Sequence, residues 1–536
     1  MSDRTFRPST IPIADKVQIM KLRRRVAGAR WIIAIALLVI SRSVAAQEPY
    51  PGFEAYVTKA LQTSKIPGIA IAIVRNDSVI YTKGFGVLKV GGSTPVNDQT
   101  LFEIGSSSKA FTATLVSMMV SDGKMQYDDL ISKYLPDFKL ADPIASAQVT
   151  IRDALEHRSG IGRGEYIWID AGISREEVLH RVRFLKPESV FRSKWSYQNI
   201  MYLAAGQAAG KAGGSTWDDL VQTRIFTPLG MTSSLVTSRG MTNTNAATAH
   251  VTERDSVSTR GRFDAEDIAP AGAILSNAHD MAQWLRFQLN DGVVSGKRLV
   301  STAAFKEIHS PQMIIPAGSG GGGENTLFST YGMGWMIEDY RHELMWQHGG
   351  NTPGMTTAVG MLPEKKLGVV VLSNMYGAQL PAQLMHYIFD RQLGVTPREV
   401  VARGGGRGGR GGAADSTVIP HVTLPAPLPL TSYVGTYVDS MYGEAVVSIK
   451  DGHLEFKHGT QTGPLEYWNA ANFRWFSTGS LSSPTGPNAY IKFEVTPDNR
   501  VTGVYFGFGS DISLFGRKNA GGGRGGRGGP GGPGGN

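Results

Sequence analysis

A serine hydroxyl is a poor nucleophile until a neighbouring base takes its proton. The segment Gly105-Ser106-Ser107-Ser108-Lys109 offers such a pair, directly after Leu101-Phe102-Glu103-Ile104. Residues three apart on a helix share a face, so the Lys109 amine can reach the Ser106 hydroxyl. Lysine acts as a base only where burial lowers its pKa, and the positive end of a helix dipole pushes the same way. The same residues also describe a helix-terminal serine beside a solvated lysine. A second copy of the spacing, Ser121-Asp122-Gly123-Lys124, crosses an Asp-Gly break and reads as a helix end.

Two further clusters carry useful groups. In Tyr197-Gln198-Asn199 a phenol can relay a proton and an amide can hold a substrate carbonyl. The plainer reading is a core tyrosine followed by an Asn helix cap. In His348-Gly349-Gly350, ahead of Asn351, an imidazole can donate or relay a proton, and paired glycines let a ligand backbone come close. A histidine after an apolar strand also serves as a plain structural residue. The chain holds no G-x-S-x-G, H-E-x-x-H or Walker A pattern, and no G-x-G-x-x-G between a strand and a helix. It has no cysteine, and its eleven histidines show no ligand spacing, so neither a metal nor a cofactor is expected.

The elements that must position these residues follow from pattern. Residues 69–74 and 79–82 form a hairpin around Arg75-Asn76-Asp77-Ser78. A helix opens near Ser106 and ends at Asp122-Gly123, with others at 151–156, 175–183, 199–211 and 278–288. Late strands fall at 333–338, 344–347, 356–362 and 367–373, which places His348 just past a strand. Strands at both ends around a helical middle predict an α+β domain whose first and last strands share one antiparallel sheet. Gly318 to Gly323 reads as a surface loop. Six short alternating strands between Tyr433 and Phe515 predict a small antiparallel barrel or sandwich. The resulting division is a leader at 1–46, an α+β domain at 47–400, an Arg/Gly- and Pro-rich linker at 401–430, a β domain at 431–518 and a Gly-rich tail at 519–536.

Charge argues against the first impression of a basic, glycine-rich nucleic-acid binder. The 536 residues carry a formal +9, but the leader alone has nine basic residues against two acids. Two glycine tracts, 403–412 and 519–536, add five arginines and no acid, which leaves the remainder at −3. A phosphate-binding face needs clustered basic residues on folded structure, so nucleic acid is not an expected partner. A basic run at 21–25, ten apolar residues at 31–40 and Val44-Ala45-Ala46 make the leader an export signal. Ten residues span about 15 Å as a helix, short of the ~30 Å hydrocarbon core. A periplasmic or secreted protein follows, with contact to a membrane through an uncleaved leader as the alternative.

The order Ser-x-x-Lys, Tyr-x-Asn and basic-x-Gly resembles the serine β-lactamase and penicillin-binding DD-peptidase superfamily. The surroundings resemble its class C branch, which includes esterases and D-amino-acid peptidases. They include Asp153-Ala154-Leu155-Glu156-His157-Arg158-Ser159-Gly160-Ile161, Pro228-Leu229-Gly230-Met231, Tyr331-Gly332-Met333-Gly334-Trp335 and the run from Pro363 to Asn374. The terminal unit, with Tyr433-Val434-Gly435-Thr436-Tyr437, is similar to a lipocalin-like domain appended to some members. The resemblance implies an antiparallel sheet flanked by helices, a helical subdomain and a small all-β domain. It implies an acyl-enzyme on Ser106, with Lys109 as base or proton shuttle and Tyr197 serving the leaving group and the deacylating water. Asn199, His348, Gly349 and Gly350 would contact substrate, and the backbone N–H groups of Ser106 and Asn351 would form the oxyanion hole.

Where many relatives carry Lys-Thr-Gly, this chain has His348-Gly349-Gly350. A constant ammonium anchors a substrate carboxylate, whereas histidine is mostly neutral near pH 7. Esters or D-amino-acid amides are therefore expected as substrates ahead of penicillins, with His348 setting a pH dependence between 5 and 8. The alternatives are a true β-lactamase or DD-carboxypeptidase, or a silent penicillin-recognising module. The partner is a small-molecule or peptide substrate.

Overall fold

A computed structural model of the chain describes residues 48–239, 241–253, 256–316, 326–397, 426–479, 489–507 and 512–518. The leader, the glycine loop near 318–323, the Arg/Gly tracts, most of the expected linker and the tail lie outside the described residues.

Helix α1 (Phe53–Ser64) precedes a hairpin of β1 (Gly68–Arg75) and β2 (Ser78–Gly86). The helical middle is dominated by α2 (Ser108–Ser121), α3 (Asn199–Gly213) and α4 (Ala278–Leu289). The chain then returns through β3 (Met313–Ile314), β4 (Ser329–Tyr331), β5 (Met336–Tyr340), β6 (Glu343–Thr352), β7 (Met355–Leu362) and β8 (Leu367–Ser373), and closes on α5 (Leu380–Gln392). The eight strands form one antiparallel sheet in the order β2-β1-β8-β7-β6-β5-β4-β3. First and last strands meet, with Ile69 opposite Ser373 and Arg75 opposite Leu367.

The alternation in β1 explains why this sheet is covered on both faces. Ile69, Ile71 and Ile73 pack with Phe53, Leu384 and Phe389 of α1 and α5. Ala70, Ala72 and Val74 face the other way, into the cluster that includes Phe111, Trp284 and Leu285 of α2 and α4. The small alanines on that side make room for α2, whose residues 108–119 are all buried. Polar groups on this buried helix are paired: Thr112 Oγ1 donates to Pro270 O at 2.7 Å and accepts from Trp217 Nε1 at 3.0 Å.

Two expectations shift. The strand expected from 333 begins at Met336, because Tyr331 and Met336 pair across a hairpin whose turn contains Gly334 at φ 78°. The strand expected at 344–347 runs on to Thr352, so His348-Gly349-Gly350 lies inside β6. Its two glycines obscure the strand pattern but still pair, Gly349 with Ala358 and Gly350 with Thr357.

Beyond Ala426 the described chain forms a closed eight-stranded barrel from Gly435–Asp439 to Ser513–Arg517, each strand pairing with the next and the last with the first. Two strands escape the sequence pattern, Gln461–Asn469 and Ser513–Arg517; the first carries Gly463 and Pro464, which read as breakers. Tyr437, Phe456, Trp475, Phe493, Phe506 and Phe515 are fully or almost fully buried, as suits a barrel of this size filled by its own side chains. The barrel meets the helical region where Asp170 O accepts from Thr460 N at 2.8 Å and Asp170 Oδ2 accepts from Gln461 Nε2 at 2.8 Å. Tyr166 and Phe506 also touch ring to ring, 5.9 Å apart.

Candidate active site

The turn Gly105–Ser107 carries Ser106 into the start of α2. Gly105 takes φ 51°, and a Cβ there would stand 2.8 Å from Asn351 N. At Gly350 any Cβ would overlap the Ile104 carbonyl and lie 3.2 Å from Ser106 N. Two positions without side chains therefore let β6 lie directly against the Ser106 turn. Ser107 Oγ closes the joint by donating to His348 O at 3.1 Å.

One turn along, Lys109 is completely buried. Its Nζ lies 3.1 Å from Ser106 Oγ, 2.7 Å from Asn199 Oδ1 and 2.9 Å from Ala271 O. It also sits over the rings of Tyr197 and Tyr202, at 4.8 and 5.4 Å from their centroids. Burial drives its pKa well below the ordinary lysine value; the nearby Arg163 charge adds to this and Glu165 opposes it.

Tyr197 is held from both flanks by His157. Ser196 N donates to His157 O at 2.7 Å, and Gln198 N donates to His157 Nδ1 at 3.1 Å. The cap of α3 is Gln198, whose side chain accepts from Ile200 N, and this leaves the Asn199 amide for Lys109. The Tyr197 hydroxyl is hydrogen-bonded to Ser106, and burial raises its pKa, so the phenol keeps its proton. Ser106, Lys109, Tyr197 and Asn199 thus converge from a turn, a helix and a second helix start. The second Ser-x-x-Lys copy stands elsewhere, with Ser121 at the end of α2, and the chain's other Tyr-x-Asn run, Tyr467-Trp468-Asn469, lies on a barrel strand.

His348 departs from expectation. Its side chain is buried, its Nδ1 is 2.7 Å from Gly349 O, and its Nε2 is 3.1 Å from the Tyr331 hydroxyl. Burial, with Lys109 nearby, pushes its pKa down to about 3. A neutral ring with both nitrogens engaged neither titrates between pH 5 and 8 nor offers a cation to a substrate. The lowered pKa runs against the expected pH dependence, and Gly349 and Gly350 lie next to the ring on the strand beside the serine. Asn351 sits at the exposed end of this run, its Oδ1 accepting from Thr356 Oγ1 at 2.9 Å.

Sequence reasoning missed Tyr202 and Tyr331, which line the buried side of the cluster, and Arg163 and Glu165, which reach it from a loop. The Arg163 guanidinium lies 5.3 Å above the Tyr197 ring and its Nη2 is 2.8 Å from Glu165 Oε1. The signal was the run Gly162-Arg163-Gly164-Glu165, in which two charges alternate with glycines. Among the described residues no group of His, Asp and Glu is arranged to hold a metal ion.

Comparison with known proteins agrees with this fold. Residues 53–389 match the family described as Beta-lactamase, and residues 420–521 match a domain of unknown function, DUF3471. The chain is 29% identical over 455 residues to Unguisins hydrolase ungD of Aspergillus violaceofuscus, covering 76% of this chain and 78% of the relative. It is 27% identical over 333 residues to Penicillin-binding protein 4 of Amycolatopsis lactamdurans, covering 59% and 83%. The octameric penicillin-binding protein homologue from Pyrococcus abyssi shares the fold, with a TM-score of 0.58 at 22% identity over 87% of this chain and all of that one. With more than half its length matched, the chain belongs to the Beta-lactamase family, within the serine β-lactamase and penicillin-binding superfamily, and carries an eight-stranded barrel after its α+β domain.

Proposed function

We propose that this chain is an exported serine hydrolase that cleaves ester or amide bonds through an acyl-enzyme on Ser106. The observation that carries the reading is the 3.1 Å approach of a fully buried Lys109 amine to the Ser106 hydroxyl. A neutral amine has two N–H groups and one lone pair. Asn199 Oδ1 and Ala271 O are both acceptors and take the two N–H groups, so the lone pair meets Ser106.

In the first half-reaction Ser106 Oγ attacks the substrate carbonyl and its proton passes to Lys109. The backbone N–H groups of Ser106 and Asn351 receive the developing oxyanion; one such donor typically contributes about 2.7–4 kcal/mol of barrier lowering. Collapse breaks the bond to the leaving group, which takes a proton from the Tyr197 phenol, and Tyr197 recovers one from Lys109. Water then attacks the acyl ester, its proton passes to Lys109, and Ser106 leaves with that proton restored. Asn199 keeps the amine oriented throughout.

The substrate is an ester or a D-amino-acid amide rather than a penicillin. Support comes from His348, neutral and internally bonded where many relatives place a cation. Export rests on the sequence of residues 21–46.

Intact-mass labelling with a fluorophosphonate tests the nucleophile: one adduct on the parent and none on Ser106→Ala is expected. Hydrolysis of aryl esters, D-amino-acid amides and a chromogenic cephalosporin then tests substrate class. Faster turnover of the cephalosporin than of every ester and amide would overturn the preference.

A further inference from the structure

Asn199 meets Lys109 with its oxygen, yet nothing in that pair alone requires it. A neutral lysine amine can donate to an amide oxygen or accept from an amide nitrogen, and the two ends of an asparagine amide are nearly the same size. The second neighbour breaks the symmetry. Asn199 Nδ2 lies 3.2 Å from Glu165 Oε1 and 3.3 Å from Oε2. A carboxylate paired with Arg163 presents acceptor oxygens, so the amide nitrogen points to Glu165 and the oxygen to Lys109.

Were the amide reversed, its N–H would claim the Lys109 lone pair, the electrons needed for the Ser106 proton. We infer that Glu165 is a positioning residue, holding the Asn199 amide in the orientation that turns the Lys109 lone pair toward Ser106. This rests on the reading of Ser106 as nucleophile and Lys109 as base.

The placement of Glu165 is built, not incidental. It opens the short turn Glu165–Ile167 after Gly164, which takes φ 55°. Ile167 is fully buried, Tyr166 packs on Phe506 of the barrel, and Asp170 is held by Thr460 and Gln461. Arg163 Nη2, 2.8 Å from Oε1, forms an ion pair with the carboxylate and shares the oxygen that Asn199 uses.

The charged and titratable groups facing the Lys109 amine are Ser106 on its own turn, Tyr197 and Tyr202 from α3 and its approach, Arg163 and Glu165 from the loop, and His157 and His348 behind it. Arg163 lowers the amine's pKa and Glu165 raises it. Removing one charge or the other therefore moves the acid limb of activity in opposite directions.

The experiment uses the full chain with Glu165→Gln, Glu165→Met and Arg163→Met, aryl-ester kinetics from pH 5 to 9, and the rate of fluorophosphonate labelling. Gln keeps an acceptor for Asn199 and should hold plateau kcat/KM within about threefold; Met has none and should lose about ten- to a hundredfold, mostly in kcat. The acid limb should move to lower pH in Glu165→Gln and to higher pH in Arg163→Met. Equal losses in Gln and Met, or parental kinetics in Met, overturn the inference. If Glu165→Met fails to fold, limbs that stay put or move together in the other two variants overturn it. Failure of Ser106 to label in the parent is a separate result, and it overturns the nucleophile reading as well.

Discussion

The Tyr331 hydroxyl stands 3.1 Å from His348 Nε2, while His348 Nδ1 stands 2.7 Å from the Gly349 carbonyl oxygen. A carbonyl can only accept, so the ring proton is on Nδ1 and Nε2 accepts from the tyrosine. The imidazole is thus a fixed neutral spacer between β4 and β6, behind the serine turn.

His348→Lys consequently places an ammonium where the ring now meets the Tyr331 hydroxyl, with Lys109 nearby. An uncompensated buried charge of this kind destabilises by about 3–5 kcal/mol. The expected result is a sharply lower melting temperature at pH 7 and no gain of penicillin turnover. His348→Gln keeps a neutral polar group and should melt much closer to the parent.

Lys109 carries the pH signature of the site. Its folded pKa is depressed, so between that value and the ordinary lysine pKa of about 10.4 the unfolded chain binds the extra proton and stability rises with pH. Lys109→Met removes this linkage. Its melting temperature relative to the parent should therefore fall steadily from pH 7 toward pH 10, as measured by calorimetry. Ester hydrolysis should drop by about 10²–10⁴-fold with loss of the base.

Gly350→Ala tests the contact between β6 and the nucleophile turn. The added methyl overlaps the Ile104 carbonyl, so strand or turn must move. Overpacking of this kind costs about 1–3 kcal/mol, and displacement of Ser106 N and Asn351 N should lower kcat more than it raises KM. Gly349→Ala, whose Cβ meets only Thr357 O at 3.3 Å, should be milder in both readouts.

Thr112→Val is nearly isosteric but leaves Trp217 Nε1 and Pro270 O without the hydroxyl that joins them. Unpaired buried groups cost about 1–3 kcal/mol each. A lowered melting temperature is expected, and Thr112→Ser should restore most of it.

The sequence by itself determined what depends on neighbours along the chain. Ser106 and Lys109 share a face because helical spacing puts them there, and the β-rich run from Ile69 to Val74 announces a strand. Hairpins and helices between Asn76 and Ser373 follow from the same local rules. The Gly349-Gly350 pair hid the continuation of β6, because strand propensity is weak at glycine and only pairing with β7 keeps it extended. Burial and charge around the site were decided by tertiary structure. His348 is silent because Tyr331, seventeen residues away, occupies its nitrogen and the fold excludes water from its ring. Arg163 and Glu165 enter the site because a loop gripped by the barrel returns past α3, a meeting that no local spacing encodes. Desolvation and long-range pairing act through space, and they decide which of the chemically able residues in this chain are placed to act.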